Sequence, residues 1–210
     1  MSTTGKATDV LLLRHAQSTW NAEGRWQGRA DPPLSEAGEL DSRQLAESIG
    51  LGAWPELAGV DAVVSSDLAQ ARRTDEIIAA HLALGPVELF AGLRERDVGE
   101  FTGRTRAEIE ARWPGLLASV PLEPPGGESR PAVLSRAVAT LHRIAARHRG
   151  GRVVAVTHGA LIRAVEAHVG ETGQGPPRNL TGRWVHIEGT RLRGGKPALI
   201  DDDGRLACSI

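Results

Sequence analysis

The run Val10-Leu11-Leu12-Leu13 passes without a break into Arg14-His15. Four consecutive apolar residues fit a short strand covered on both faces, because a strand open to water on one side would alternate. Residues 153–156 have the same character, and so do residues 60–64 apart from Asp61. Each of these runs is followed by a polar turn and then a helical pattern. Strands alternating with helices imply an α/β fold, with a mostly parallel central sheet between two helical layers in a three-layer α/β/α sandwich.

The helices are marked by their ends. Ser35 is an N-cap for a helix to about residue 49, and residues 68–82 carry a second helical period. Thr105-Arg106-Ala107-Glu108 matches a capping box and opens a short helix toward Trp113, where Pro114 stops it. Ser129 caps a long helix that tolerates Pro131 in its first turn and runs to His148, ahead of Gly150-Gly151. A last helix starts after Gly159 and reaches about Val169 before Gly170. Residues 183–188 and 196–200 read as edge strands around a turn at Gly189-Thr190, an edge open to pairing in a homodimer. No repeat or low-complexity linker divides the chain. Residues 1–210 are therefore expected to form one domain, with a helical and loop insertion around 96–128.

In open parallel sheets, ligands bind beyond the carboxyl ends of the strands. Those ends carry Arg14-His15, Ser65-Ser66-Asp67 and Thr157-His158-Gly159. One histidine at a strand end is ordinarily a satisfied capping or surface residue. Two at equivalent ends, one with an arginine beside it, point to an anion. Neutral imidazole is a nucleophile toward phosphorus, and a neighbouring guanidinium grips phosphate oxygens while disfavouring protonation of the ring. A second imidazole donates a hydrogen bond to phosphoryl oxygens as charge spreads over them. The helix that begins near Gly159 is expected to aim its first amides at the same anion.

Composition narrows the partners. There are 25 Lys and Arg against 26 Asp and Glu, a formal net charge of -1, so no global field draws the chain to nucleic acid or to an acidic membrane. Cys208 is the single cysteine, which excludes an intrachain disulfide and a cysteine-built zinc site. No apolar run approaches the roughly 20 residues of a membrane span, and residues 1–9 show no signal-peptide pattern, so the cytoplasm is the expected location. Lysine occurs only at Lys6 and Lys196 amid abundant Arg, Ala and Gly, which reads as a bacterial coding bias. No phosphate loop of the Gly-x-x-x-x-Gly-Lys type is present, and His81, His142, His148, His168 and His186 fall in no metal-ligand spacing. Asp201-Asp202-Asp203 before Gly204 reads as a solvated turn. Neither a metal nor a cofactor is expected.

From about Val10 to Val169 the chain resembles the histidine phosphatase superfamily, also called phosphoglycerate mutase-like, block by block. Leu12-Leu13-Arg14-His15 with Asn21 is similar to its Arg-His-Gly signature and downstream Asn. Gln27-Gly28 and Asp31-Pro32-Pro33-Leu34-Ser35, with Gly38, resemble the block leading into the first helix. Ser65-Ser66-Asp67-Leu68 with Ala71 and Thr74 resembles the second-strand block. Leu93-Arg94-Glu95, then Gly99-Glu100-Phe101 and Gly103, resembles the acid-bearing loop. Pro125-Gly126-Gly127-Glu128-Ser129 resembles the block before a long helix, and Thr157-His158-Gly159 the second histidine motif. The resemblance implies His15 as the phosphorylated nucleophile, Arg14 as a phosphate clamp and His158 as the second phosphate-binding histidine. It implies Glu95 as the general acid for the leaving alcohol, with Asn21 and Gly159 beside the phosphate. A carboxyl next to a phosphate dianion holds its proton more tightly, which suits an acid. Asp97 and Glu100 are competing carboxylates that read as solvated loop charges, and Asn21 reads equally as a turn cap.

Two positions depart from the family pattern. Ala16 stands where the signature has glycine, which is tolerable where the backbone needs no positive φ. Gln70 stands where the family carries its second catalytic arginine. An amide still donates to phosphate but brings neither charge nor fork geometry. Arg73, one helical turn on, and Arg29 in a loop are the candidates to restore the charge, whereas Arg72 points elsewhere by helical geometry; each of the three reads first as a surface charge. The expected function is hydrolysis of a phosphomonoester, a small phosphorylated metabolite, through a phosphohistidine intermediate. The alternatives are phosphoglycerate mutase-type transfer and, because of Gln70, a weakly active or non-catalytic phosphate-ester binder. The short stretch between Glu95 and Pro125 leaves little room for the closing lid a mutase needs, which favours the hydrolase.

Overall fold

The computed structural model describes residues 6–171 and 177–198. Its strands are β1 (Thr8–Arg14), β2 (Ala62–Ser65), β3 (Glu88–Leu89), β4 (Arg152–Thr157), β5 (Gly182–Glu188) and β6 (Arg191–Ala198). They form one sheet in the order β3-β2-β4-β1-β5-β6. β1, β2, β3 and β4 run parallel, whereas β5 is antiparallel to β1 and β6 to β5. The helices are α1 (Thr19–Ala22), α2 (Glu36–Gly50), α3 (Ala69–His81), α4 (Arg106–Arg112), α5 (Arg130–Arg147) and α6 (Gly159–His168).

Alternate residues of the central strands feed two separate cores, which is what a strand covered on both faces requires. Leu11, Leu13, Val154 and Val156 pack with Leu45 of α2 and Ile78 of α3. Val10, Leu12, Val153 and Ala155 pack on the other face with Leu141 of α5 and Leu161 of α6. The sandwich therefore has three layers. Caps fix where the helices begin. Ser35 Oγ accepts from the Gly38 amide, Ser129 Oγ from that of Ala132, and Thr105 and Glu108 form the reciprocal box. Each such cap contributes about 1 kcal/mol.

The tail differs from its reading as a pair of edge strands. β5 lies inside the sheet between β1 and β6, because Trp184, Val185 and Ile187 bury apolar side chains that an edge would expose. β6 begins at Arg191 rather than Lys196. Its sequence Arg-Leu-Arg-Gly-Gly-Lys-Pro-Ala gives no strand signal, and pairing with β5 alone orders it. Residues 199 and 200 of the expected strand lie outside the described residues, as do Asp201-Asp202-Asp203 and Cys208. The stretch 96–128 builds a small third core in which Val98, Phe101 and Ile109 pack with Trp26 and Trp113. Among the described residues no helix is long and apolar enough to cross a membrane.

Candidate active site

Backbone bonds gather the strand ends before any side chain contributes. The His15 amide donates to Thr157 O at 3.0 Å, and the Ser66 amide to Val156 O at 2.9 Å. These bonds bring His15, Ser66 and His158 to one edge of the sheet, and all three are buried. The rings of His15 and His158 lie 5.0 Å apart between centroids, tilted by 60°. Neither histidine is a surface residue.

The tautomer of His15 follows from its partner. Nδ1 sits 2.7 Å from Ala16 O, and a carbonyl only accepts, so Nδ1 carries the proton and Nε2 keeps its lone pair. The Ala16 peptide is held from its other side, its amide donating to Thr74 Oγ1 at 3.1 Å. Asn179 Nδ2 donates to His15 O at 2.7 Å. His15 is thus braced from α3 and from the segment before β5. Burial, and then the Arg14 guanidinium, lowers the His15 pKa to about 3, so the ring is neutral across the physiological range. Ala16 has no positive φ and buries its methyl in the first core, so the missing signature glycine does no harm here.

His158 is buried as fully, and burial followed by His15 and Arg14 pushes its pKa well down. Its Nε2 lies 3.0 Å from Ser66 Oγ. That hydroxyl accepts from the Leu68 amide at 3.3 Å, and Nε2 is the one acceptor within reach of its own proton among the described residues, so Oγ–H donates to Nε2. Nδ1 of His158 is then the N–H, and it is buried without a partner. Arg14 is tied at one end, Nη1 donating to Pro177 O at 2.6 Å, while its Nε has no partner. Two buried donors beside a free imidazole lone pair have the chemistry of an anion site.

A pocket of about 490 Å³ opens over these groups, lined also by Asn21, Gln27, Gly28, Gly159 and Glu95. Four arginines and a single carboxylate face it among the described residues, Arg14, Arg25, Arg106 and Arg163 against Glu95. Glu95 is therefore the one acid in position. Asp97 accepts from the Gly99 amide in its own loop, and Glu100 is exposed. The Glu95 carboxylate sits on the start of α6, accepting from the Ala160 amide at 3.1 Å and from the Arg96 amide at 2.8 Å. The expectation that α6 offers its first amides to the phosphate is corrected at Ala160, whose N–H is taken by Glu95. Arg136 fixes that loop, donating to the carbonyls of Gly92, Arg94 and Glu95 while Glu128 accepts from the same guanidinium.

Asn21 is a cap that also faces the pocket. Its Oδ1 accepts from the Ser18 amide at 3.2 Å as a cap, and the residue lines the pocket, which leaves Nδ2 for a ligand. Gly28 is needed as glycine, since its φ is +54° and a Cβ would stand 2.7 Å from the Val98 side chain.

Gln70 is fully buried behind the pocket wall rather than in the lining. Its Nε2 donates to Gln27 Oε1 at 3.4 Å, and its own Oε1 has no partner. The substituting arginines are all engaged elsewhere. Arg73 forks onto Glu39 at 2.6 and 3.0 Å, Arg72 pairs with Glu76 at 3.5 Å, and Arg29 with Glu128 at 3.1 Å. Asn179, Arg136, Arg106 and Arg163 are the contributors that sequence reasoning missed. No group of three metal-ligating side chains occurs among the described residues.

A family model for the histidine phosphatase superfamily (branch 1) matches residues 10–200. The chain is 34% identical over 189 residues to a metal-independent phosphoserine phosphatase of Arabidopsis thaliana, covering 87% of this chain and 77% of the relative. It is 36% identical over 158 residues to the probable phosphoglycerate mutase GpmB of Citrobacter koseri, covering 73% and 70%. A mycobacterial glucosyl-3-phosphoglycerate phosphatase, solved in complex with VO3, superimposes with a TM-score of 0.76 at 29% identity, covering 93% of this chain and 99% of that one. With paired imidazoles at two parallel strand ends and a match along nearly its whole length, the chain belongs to the histidine phosphatase superfamily, branch 1.

Proposed function

We propose that the chain is a metal-independent phosphomonoesterase that works through a phosphohistidine on His15. The observation that carries this reading is the pair of buried, neutral rings 5.0 Å apart beside Arg14 and one carboxylate. His15 Nε2 attacks phosphorus and forms the P–N bond as the ester P–O bond breaks. Glu95 gives its proton to the departing oxygen. Arg14 Nε, His158 Nδ1–H and the Asn21 amide bind the phosphoryl oxygens as charge spreads over them. Water then attacks the phosphohistidine, Glu95 takes its proton, the P–N bond breaks and inorganic phosphate leaves. The substrate class is a small phosphorylated metabolite. The phosphatase names among the relatives support hydrolysis, and the short 96–128 stretch gives water access. A cytoplasmic location fits the single cysteine.

Purified protein is expected to release inorganic phosphate from p-nitrophenyl phosphate at the same rate with and without a chelator. Turnover that chelation abolishes would overturn the metal-free reading, and binding of phosphate esters with no release would leave a binder.

Gln70 predicts a slow enzyme that one substitution speeds. Gln70→Arg is expected to raise kcat/KM for phosphate release by about 10- to 100-fold, the worth of a charge-assisted bond to a phosphoryl oxygen. A rate unchanged or lowered, in a variant of unchanged thermal midpoint, would show that the buried amide is not a missing cation.

A further inference from the structure

Ala160 and Arg163 border two depressions at once, the pocket over His15 and a groove of about 450 Å³ between the start of α5 and α6. Val133, Leu134 and Ala164 make the groove mainly apolar, and no carboxylate lines it among the described residues. Two cations mark it, Arg163 at the shared rim and Arg130 in the first turn of α5. Both are exposed, and neither has an ion pair or hydrogen bond among the described residues. Arg96, also in the wall, is consumed by Glu128 O, Leu122 O and the Glu123 carboxylate. A lone unpaired surface arginine means little. Here two of them border an apolar floor that shares Ala160 and Arg163 with the pocket over His15.

The position of Glu95 gives the groove a direction. The carboxyl that protonates the leaving oxygen rests on the Ala160 amide, and Ala160 is the rim between pocket and groove. With the phosphoryl group over His15, the alcohol departs past Glu95 toward that rim. We propose that the groove is the leaving-group subsite, and that the alcohol it takes has an apolar body ending in an anionic group. The proposal rests on the phosphomonoesterase reading and names the substrate class of that site.

Phosphate release from ethyl phosphate, n-hexyl phosphate, 6-(phosphonooxy)hexanoate and 6-aminohexyl phosphate tests it. A fully buried methylene is worth about fourfold, so four added methylenes, partly buried in an open groove, are expected to raise kcat/KM of hexyl over ethyl phosphate by about 10- to 100-fold. The terminal carboxylate is expected to add about tenfold, and the terminal ammonium to lower the value below that of hexyl phosphate. Ala164→Trp, which fills the groove, is expected to bring the hexyl-to-ethyl ratio toward one. Arg130→Ala is expected to erase the carboxylate-to-ammonium ratio. Ratios within one variant cancel any general loss of activity. Equal rates for ethyl and hexyl phosphate in the unaltered chain, or a length preference that survives the tryptophan, would overturn the subsite. A length preference with no charge preference would overturn the anionic terminus. No release from any of the four esters or from p-nitrophenyl phosphate would instead overturn the phosphatase reading itself.

Discussion

His15→Gln is expected to stop phosphate release, with kcat falling by at least about 10⁴-fold, because the group that accepts phosphorus is gone while the binding groups remain. Arg14 Nε and His158 Nδ1 keep their buried, unpartnered donors in the variant, so phosphate esters still bind. Two readouts check this. Brief incubation of the unaltered chain with a radiolabelled ester, then alkaline quench, is expected to leave acid-labile, base-stable label on the protein, as a phosphoramidate does. The variant is expected to carry none. Label that persists in His15→Gln would place the nucleophile elsewhere.

The same substitution has a stability consequence with a definite sign. An imidazole in the unfolded chain titrates near 6.5, whereas folded His15 titrates near 3. As pH falls below the unfolded value, the unfolded chain takes up a proton that the folded chain refuses. Stability is therefore full above about 6.5 and is lost progressively down to about 3. Between pH 6.5 and 4.5, His15 alone removes about 2–3 kcal/mol, and His158, depressed in the same direction, adds to the loss. Asp75 acts the other way. Burial first, and then Glu76, raises its pKa well above the carboxylate range, so its contribution is present at low pH and lost as pH rises. Comparing urea unfolding of the unaltered chain and His15→Gln at each pH cancels the Asp75 contribution. The variant's curve is expected to be flatter from pH 6.5 to 4.5, and parallel curves would mean that the ring at residue 15 titrates in the folded protein.

Much of this was legible in the chain because local and global signals agree. Uninterrupted apolar runs mark β1 and β4, β2 starts at Ala62 just after Asp61, and Ser35, Thr105 and Ser129 cap helices where their side chains reach the third amide on. Parallel topology then carries Arg14-His15, Ser66 and His158 to one edge. What escaped is what only tertiary contact defines. Asn179 braces His15 across 164 positions of sequence, and no local pattern marks a lone Asn in that role. Arg136 sits in α5 like any surface arginine until the Glu95 loop folds over it and brings three carbonyls within reach. The three arginines weighed as substitutes for the missing one are held elsewhere, for a simple electrostatic reason. Arg73, Arg72 and Arg29 each have a carboxylate partner away from the pocket, and a helical offset from Gln70 says nothing about such partners. Besides Arg14, the cations that line the pocket are Arg25, Arg106 of α4 and Arg163 of α6, none of which lies on α3 with Gln70.

Glu95→Gln is expected to divide substrates by the basicity of their leaving groups. The variant keeps an oxygen to accept from the Arg96 and Ala160 amides, so the loop stays seated on α6. It loses the transferable proton. The alcohol of an alkyl phosphate leaves as a strongly basic alkoxide unless its oxygen is protonated, and kcat/KM for ethyl or hexyl phosphate is expected to drop by about 10²- to 10⁴-fold. p-Nitrophenolate departs without help, so phosphorylation of His15 by p-nitrophenyl phosphate is expected to be slowed far less. The second half-reaction has no such escape, because water attacking the phosphohistidine still has to give up a proton. The variant is therefore expected to release about one equivalent of p-nitrophenol per active site in a rapid burst, then turn over slowly with the phosphoenzyme accumulated. Asp97 and Glu100 lie outside the pocket lining, so neither is placed to take over. Equal losses on the alkyl and the aryl ester, with no burst, would remove the proton-transfer role from Glu95 and leave it as the carboxylate that positions the start of α6.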